Sequence, residues 1–327
     1  MKFKIYHVLL AFFLLMSLSE SCKKDKSATY DVYCSGRYKN SNNINAACYW
    51  KNGTFVALGL NDDLENSTAT DILVSGDNVY AVGYKFSTNY NMSRPCIWVN
   101  GKLLYLFPPN VVKGTAEGIS ISNGEIYIVG EVGLNNNPFC ITYALNNPVF
   151  VDNLTGYTKD MDFDNEGNTY VGGVRGEYSG YWKNGEPFTN IIKSSYVSGI
   201  AVQGTDIYMG ADNTASAEAG YLKNTDFVSL GSANTTSVNN IGMMSGKLYV
   251  VGNITDQNVT KATLWLNDAP VALSELESSA YRIAFKDSRV FIAGENSGMA
   301  CYWKDNSLFS LNTPNSAALS VYLYPED

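Results

Sequence analysis

Short runs of β-branched, aliphatic and aromatic residues, separated by polar turns, recur along the chain from about residue 30 onward. Apolar side chains occupy both faces of these runs and charged ones are sparse inside them. That is the pattern of strands in sheets packed between two neighbours rather than half exposed. One run keeps a constant form: Val32-Tyr33-Cys34-Ser35-Gly36, Val79-Tyr80-Ala81-Val82-Gly83, Ile126-Tyr127-Ile128-Val129-Gly130, Thr169-Tyr170-Val171-Gly172, Ile207-Tyr208-Met209-Gly210, Leu248-Tyr249-Val250-Val251-Gly252 and Val290-Phe291-Ile292-Ala293-Gly294. A further run follows each, centred on Trp50, Trp98, Thr142, Trp182, Leu222, Trp265 and Trp303. Ahead of the constant run lies a first strand, at 71–74, 118–121, 160–163, 199–202, 240–243 and 282–285. A less regular fourth strand closes each unit, as at 103–107 and 227–230.

Four strands in one fixed order, repeated about every 40 residues, are the signature of a β-propeller. A sandwich of alternating strands gives no reason for such a repeat. The fold class is therefore all-β, a seven-bladed β-propeller with four antiparallel strands per blade. The first copy lacks its first strand, and the segment 315–323 matches 66–74 position for position. The last strand is expected to pair with 31–36 and close the ring, removing two open sheet edges.

The turns divide into two classes. First-to-second turns (Ser75-Gly76-Asp77-Asn78, Ser122-Asn123-Gly124-Glu125) and third-to-fourth turns (Asn52-Gly53, Asn100-Gly101, Asn184-Gly185) are tight hairpin signals. Second-to-third connections (84–95, 131–138, 253–261) and fourth-to-first connections (59–69, 108–116) read as long loops. In an antiparallel blade both long classes emerge on one side, which is expected to carry the ligand site; the tight-turn side reads as structural. The polar starts of the first strands converge there on the axis: Asp71, Glu117, Asp160, Asn240, Arg282 and Ser320, with Lys159 and Tyr281 beside them. Tyr84, Phe86, Tyr90, Arg94 and Tyr178 stand on the outer loops, suited to stacking on sugar rings or anchoring a protein.

Residues 1–21 read as a signal segment, with Lys2 and Lys4 before an apolar stretch over 8–18 that is short for a membrane span. Ser19-Glu20-Ser21-Cys22 resembles a bacterial lipobox with Glu20 as its departure. The resemblance implies a lipidated Cys22, a charged tether over 22–29 and one propeller domain over 30–327, held to a membrane through the lipid alone. It implies a cell-envelope, outer-membrane lipoprotein; Lys23-Lys24-Asp25-Lys26 is loosely similar to surface-export signals.

Charge and chemistry narrow the function. The net charge of −8, without a basic stripe, argues against nucleic acid. The one histidine, His7, falls in the signal segment, which removes histidine-based triads and histidine-ligated metals from the mature chain. No motif calls for a cofactor or metal. Asp162, Asp164, Glu166 and Gly167 resemble the opening of a calcium loop, but Gly173 stands where its last carboxylate belongs, and the segment fits a hairpin turn instead. Cys48, Cys96, Cys140 and Cys301 share one repeat position that wants a small side chain; only Cys34 and Cys48 are placed to pair, and either thiols or a disulfide suit them.

Tyr-Trp-Lys-Asn-Gly, followed by Ile-x-Val-x-Gly-x-x-Val-Tyr-x-x-Gly, resembles a propeller repeat of Gram-negative lipoproteins, with distant similarity to kelch, NHL and quinoprotein repeats but without their diagnostic motifs. It implies a fold and an address rather than a reaction. The expectation is a monomeric, non-catalytic binding module for a glycan, peptide or envelope protein. The alternatives are a carboxylate-dependent glycosidase or lyase, and a scaffold subunit of an outer-membrane complex.

Overall fold

The computed structural model describes residues 30–59, 65–87, 92–110, 113–143, 147–186, 188–193 and 196–325. Residues 1–21, expected to be a signal segment, Cys22, the expected tether and Tyr90 lie outside them. The described residues contain twenty-eight strands, β1 to β28 in chain order, in seven four-stranded antiparallel sheets. Blade one is ordered β28 (Ser316–Pro325), β1 (Tyr30–Lys39), β2 (Asn45–Lys51), β3 (Thr54–Ala57), so the last strand completes the first sheet. The backbone N–H of Lys39 donates to the Asn315 carbonyl at 3.0 Å, and the Trp50 indole N–H to Thr313 Oγ1 at 2.9 Å. The other first strands are β4 (Ser67–Ser75), β8 (Gly114–Ser122), β12 (Gly156–Phe163), β16 (Val197–Gln203), β20 (Thr236–Met244) and β24 (Ser278–Lys286).

The Tyr-x-x-Gly motif has a steric cause. Gly83 faces Ala69, and a Cβ on Gly83 would stand 1.9 Å from the Thr68 carbonyl oxygen. The same collision, at 1.9–2.2 Å, awaits a Cβ on Gly36, Gly130, Gly173, Gly252 or Gly294. Only glycine admits the first strand so closely. Immediately past the contact the first strand bulges, between Ala69/Asp71, Ala116/Gly118, Thr158/Asp160, Val238/Asn240 and Ala280/Arg282. In blade four the motif glycine is thus Gly173, one residue beyond the expected Gly172. In blade five the position falls on Ala211, which faces Val197; pairing of β16 starts there, two residues later than in β4.

Asn-Gly has its own reason. Asn52 and Gly53 take φ of 49° and 80°, the double positive φ of a tight hairpin turn. The Asn52 side chain also accepts the Val32 N–H, as Asn100 accepts that of Val79 and Asn184 that of Thr169. Each turn thereby ties down the strand beside it. The five tryptophans pack at no more than 2% exposure.

Three expectations need correcting. Blade three, which lacks a tryptophan, centres its third strand on Ile141, not Thr142, because Ile141 faces Ile128; Phe139, rather than Cys140, opposes the motif glycine. A slip of one residue exchanges the faces of a strand. The second-to-third connections are shortened by strand pairing: residues 84–87 of β5 (Asn78–Ser87) pair with 92–95 of β6 (Met92–Val99), and 253–261 turns on Gln257 and Asn258 alone. These extensions mix polar residues such as Lys85, Ser93, Arg94, Asn253 and Thr255 with apolar ones and lose the alternation that marks a strand. Finally, Cys34 faces Trp50 while Cys48 faces Gly36, and all five described cysteines are free, buried thiols.

Removing residues 316–327 deletes β28 and opens the ring. The truncated chain is expected to melt well below the full one and to self-associate through the bared edge of β1. Equal melting temperatures and a monomeric elution profile would contradict this closure.

Candidate functional site

The bulge turns two successive residues of each first strand toward the axis, building two tiers. The upper tier is Thr70, Glu117, Lys159, Ser198, Asn239, Tyr281 and Leu319, and it lines a well of about 150 Å³ on the side of the second-to-third connections. The lower tier is Asp71, Gly118, Asp160, Gly199, Asn240, Arg282 and Ser320. Glu117, expected in line with Asp71, therefore belongs one tier higher, with Lys159 and Tyr281; Gly118 takes its place below.

The lower tier closes the channel. Arg282 Nη1 lies 3.0 Å from Asp71 Oδ2, and Nη2 reaches Asp160 Oδ1. Asn240 Nδ2 donates to Asp160 Oδ2 at 3.0 Å, and Ser320 Oγ to Asp71 Oδ1 at 2.6 Å. Asp71 also accepts the Ile119 backbone N–H at 2.9 Å, which ties blades two and three together. A Cβ on Gly199 would stand 2.7 Å from Asn240 Nδ2, so this glycine keeps room for the bridge. Burial pushes the Asp71 carboxyl up, with Arg282 and the Ser320 hydroxyl pulling against it. Burial also disfavours the Arg282 charge, but Asp160 and Asp71 outweigh it and hold the guanidinium protonated.

In the well above, Lys159 Nζ lies 2.5 Å from Glu117 Oε2, and Thr115 Oγ1 donates to Glu117 Oε1 at 2.7 Å. The Tyr281 hydroxyl donates to Glu295 at 2.9 Å, and Asn239 Nδ2 to the Ala280 carbonyl at 2.6 Å. Beside Glu117, burial and the Glu117 charge push the Glu131 carboxyl up to about 7, against pulls from Thr115, Lys159 and Lys113. Tyr196 and Ser198 complete the wall, and the buried Ser198 hydroxyl has no hydrogen-bond partner among the described residues. Tyr196 and Glu131 were missed by the reading of strand starts. The signal for Tyr196 is the break in the glycine motif at Ala211, where pairing of β16 starts two residues later than in β4.

The remaining candidates stand away from the axis. Tyr84, on β5, accepts a hydrogen bond from Thr68 Oγ1 at 3.2 Å. Arg94, on β6, is buried with its guanidinium 3.8 Å from the Tyr105 ring centre and its Nη2 on the Phe107 carbonyl. Tyr178, at the start of a third strand, is exposed. Asp162 and Asp164 diverge: Asp162 accepts the Val202 and Phe163 N–H groups and is raised to about 6 by burial, while Asp164 binds Asn168 and the N–H of Glu166 inside the hairpin turn. The tight-turn side is not plain. A wider recess of about 590 Å³ opens there below Arg282, with Ser120, Ala201 and Gly242 among its lining residues.

No protein-family model and no curated protein matches the chain. Among solved structures it is similar to a puromycin-hydrolyzing peptidase of Mycobacterium tuberculosis, at 11% identity and TM-score 0.51 over 75% of this chain and 47% of that one. It is similar to the acylaminoacyl peptidase of Pyrococcus horikoshii, at 12% and 0.52 over 89% and 52%. It is also similar to the β-propeller domain of the Trilobed protease from Pyrococcus furiosus, at 10% and 0.50 over 88% and 99%. The chain spans about half the length of the two peptidases. At such identities the likeness shows the fold alone. The Pyrococcus furiosus domain is described as having an open velcro topology, whereas β28 closes the ring here.

Glu131 sets a pH dependence. Its pKa rises from an ordinary 4.5 to about 7 on folding, so the folded chain binds the extra proton between those values. Stability is then expected to fall as pH rises through that window. Glu131→Gln should remove this component and stabilise the protein by about 3 kcal/mol at pH 8, with little change at pH 4. Urea denaturation at the two pH values measures it; equal effects at both would contradict the assignment.

Proposed function

We propose that this chain is a non-catalytic binding module of the cell envelope, taking a glycan, peptide or protein partner on the face where the upper-tier well opens. The observation that supports the reading is the well itself. Seven first strands each place one side chain around a recess whose floor is held by the Arg282 bridge, so its polar groups are already oriented before a ligand arrives. A propeller carrying such a recess fits a binding role without further chemistry. For the candidates on the axis, Glu117, Lys159, Asn240, Tyr281 and Arg282 line the well and are the proposed contacts. Asp71 and Asp160 are positioning residues that hold Arg282.

A second reading, a carboxylate-dependent glycosidase or lyase, draws on one observation. Glu117 sits in an ion pair while Glu131 beside it keeps its proton to about pH 7. Two neighbouring carboxyls in opposite protonation states are what acid–base cleavage of a glycoside uses. Release of reducing sugar that disappears in Glu131→Gln would select this reading.

The binding reading is tested by thermal shift against polysaccharides and envelope extracts. A ligand at a hundredfold its Kd adds about 2.7 kcal/mol to stability. The stabilisation is expected to be lost in Lys159→Met and kept in Lys102→Ala and Lys247→Ala, which lie at the tight-turn side. The opposite pattern would place the partner on the other face and sink the proposal.

For the N-terminal segment we propose cleavage before Cys22 and lipidation of its thiol, with the propeller anchored at the outer membrane. The full chain should then partition with membranes and require detergent for release, and Cys22→Ala should move it to the soluble fraction. A soluble wild-type protein would contradict the anchor.

A further inference from the structure

We infer that the upper-tier well recognises one neutral sugar ring, gripping a vicinal pair of hydroxyls between Lys159 and Glu117. The inference rests on the well being the binding site proposed above. Lys159 Nζ and Glu117 Oε2 stand 2.5 Å apart, and their side chains are 37% and 15% exposed. Together they present a charged donor directly beside a charged acceptor. Two hydroxyls on adjacent ring carbons offer the complement: one oxygen accepts from the ammonium while the other hydroxyl donates to the carboxylate. The Thr115 hydroxyl holds the second carboxylate oxygen at 2.7 Å, which fixes the direction of the free lone pairs.

Charge selects against ionic ligands. Arg282 is already shared between Asp71 and Asp160 beneath the well, and Lys159 is already paired, so an anion would find no uncompensated cation and would meet the Glu117 carboxylate. A cation would meet Lys159 and Arg282 in the same confined space. A neutral polyol exchanges its water hydrogen bonds for these groups without separating either ion pair. Tyr196, Tyr281 and Leu319 add carbon surface to the wall, suited to the C–H face of a pyranose. The well's 150 Å³ is of ring size rather than chain size, so the terminal unit of a glycan is the expected occupant.

Saturation-transfer NMR on the purified full chain tests this with the methyl glycosides of glucose, galactose, mannose and N-acetylglucosamine, beside phosphate and ethanolamine. At least one glycoside is expected to bind and its 3-deoxy analogue to bind at least about tenfold more weakly, as loss of a charge-assisted hydrogen bond requires. Lys159→Met and Tyr196→Ala should each abolish the response; if the methionine variant melts early, Lys159→Gln serves in its place. Binding of phosphate or ethanolamine alone, lost in the same variants, overturns the sugar and leaves the well as the binding site. A glycoside response indifferent to both variants overturns the assignment to the well and the reading beneath it. No response to any glycoside overturns the inference.

Discussion

The close approach of a first-strand carbonyl to a second-strand glycine is the contact on which the rest of the molecule depends. Thr68 O could not lie where it does if Gly83 carried a Cβ, and the contact recurs with Gly36, Gly130, Gly173, Gly252 and Gly294. The bulge next to it gives the inner strand an extra residue. An unbulged strand would send alternate side chains to the axis; the bulged one sends two in succession. The stacked tiers, and with them the division of the channel into a well and a recess, follow from that geometry.

What the tiers carry is a separate matter of electrostatics. Arg282 leaves water only because Asp71 and Asp160 meet it, because Ser320 and Asn240 satisfy the remaining carboxylate oxygens, and because the Ile119 N–H shares Asp71 Oδ2 with the guanidinium. Removing one member of such a buried set typically costs about 3–5 kcal/mol, since the others are left charged and unpaired. The cluster joins blades two, three, four, six and seven with the closing strand of blade one. It therefore braces the ring as well as flooring the well, and a ligand above it meets a surface that does not need to reorganise.

Much of this was legible in the residues. Tyr-x-x-Gly, the tryptophan strand and Asn-Gly each answer a local requirement: a carbonyl contact, a gap between blades, a turn with two positive φ values. Local requirements leave local marks, which is why blade number, strand order and ring closure could be counted. Where a mark was missing the reading slipped, as in blade three, where no tryptophan anchors the register and Thr142 was set in the place of Ile141. The paired extensions of β5 and β21 (Lys247–Asp256) read as loops because their mixed polar and apolar residues carry no hydrophobic alternation.

By itself, then, the sequence determined the seven-bladed ring, its closure by β28 and the convergence of Asp71, Asp160, Asn240 and Arg282 on the axis, since each of these depends on repeat position alone. Only the tertiary structure decided that Arg282 crosses the axis to both aspartates, that Glu117 stands a tier above them with Lys159, and that Tyr196 and Glu131 belong to the same corner. Those relations join residues about 40 to 210 positions apart, through a bulge that shifts facing by one residue and across a gap lined by Gly118 and Gly199. Periodicity places a residue on a strand; it carries no information about which charges from seven separate strands will meet in the middle.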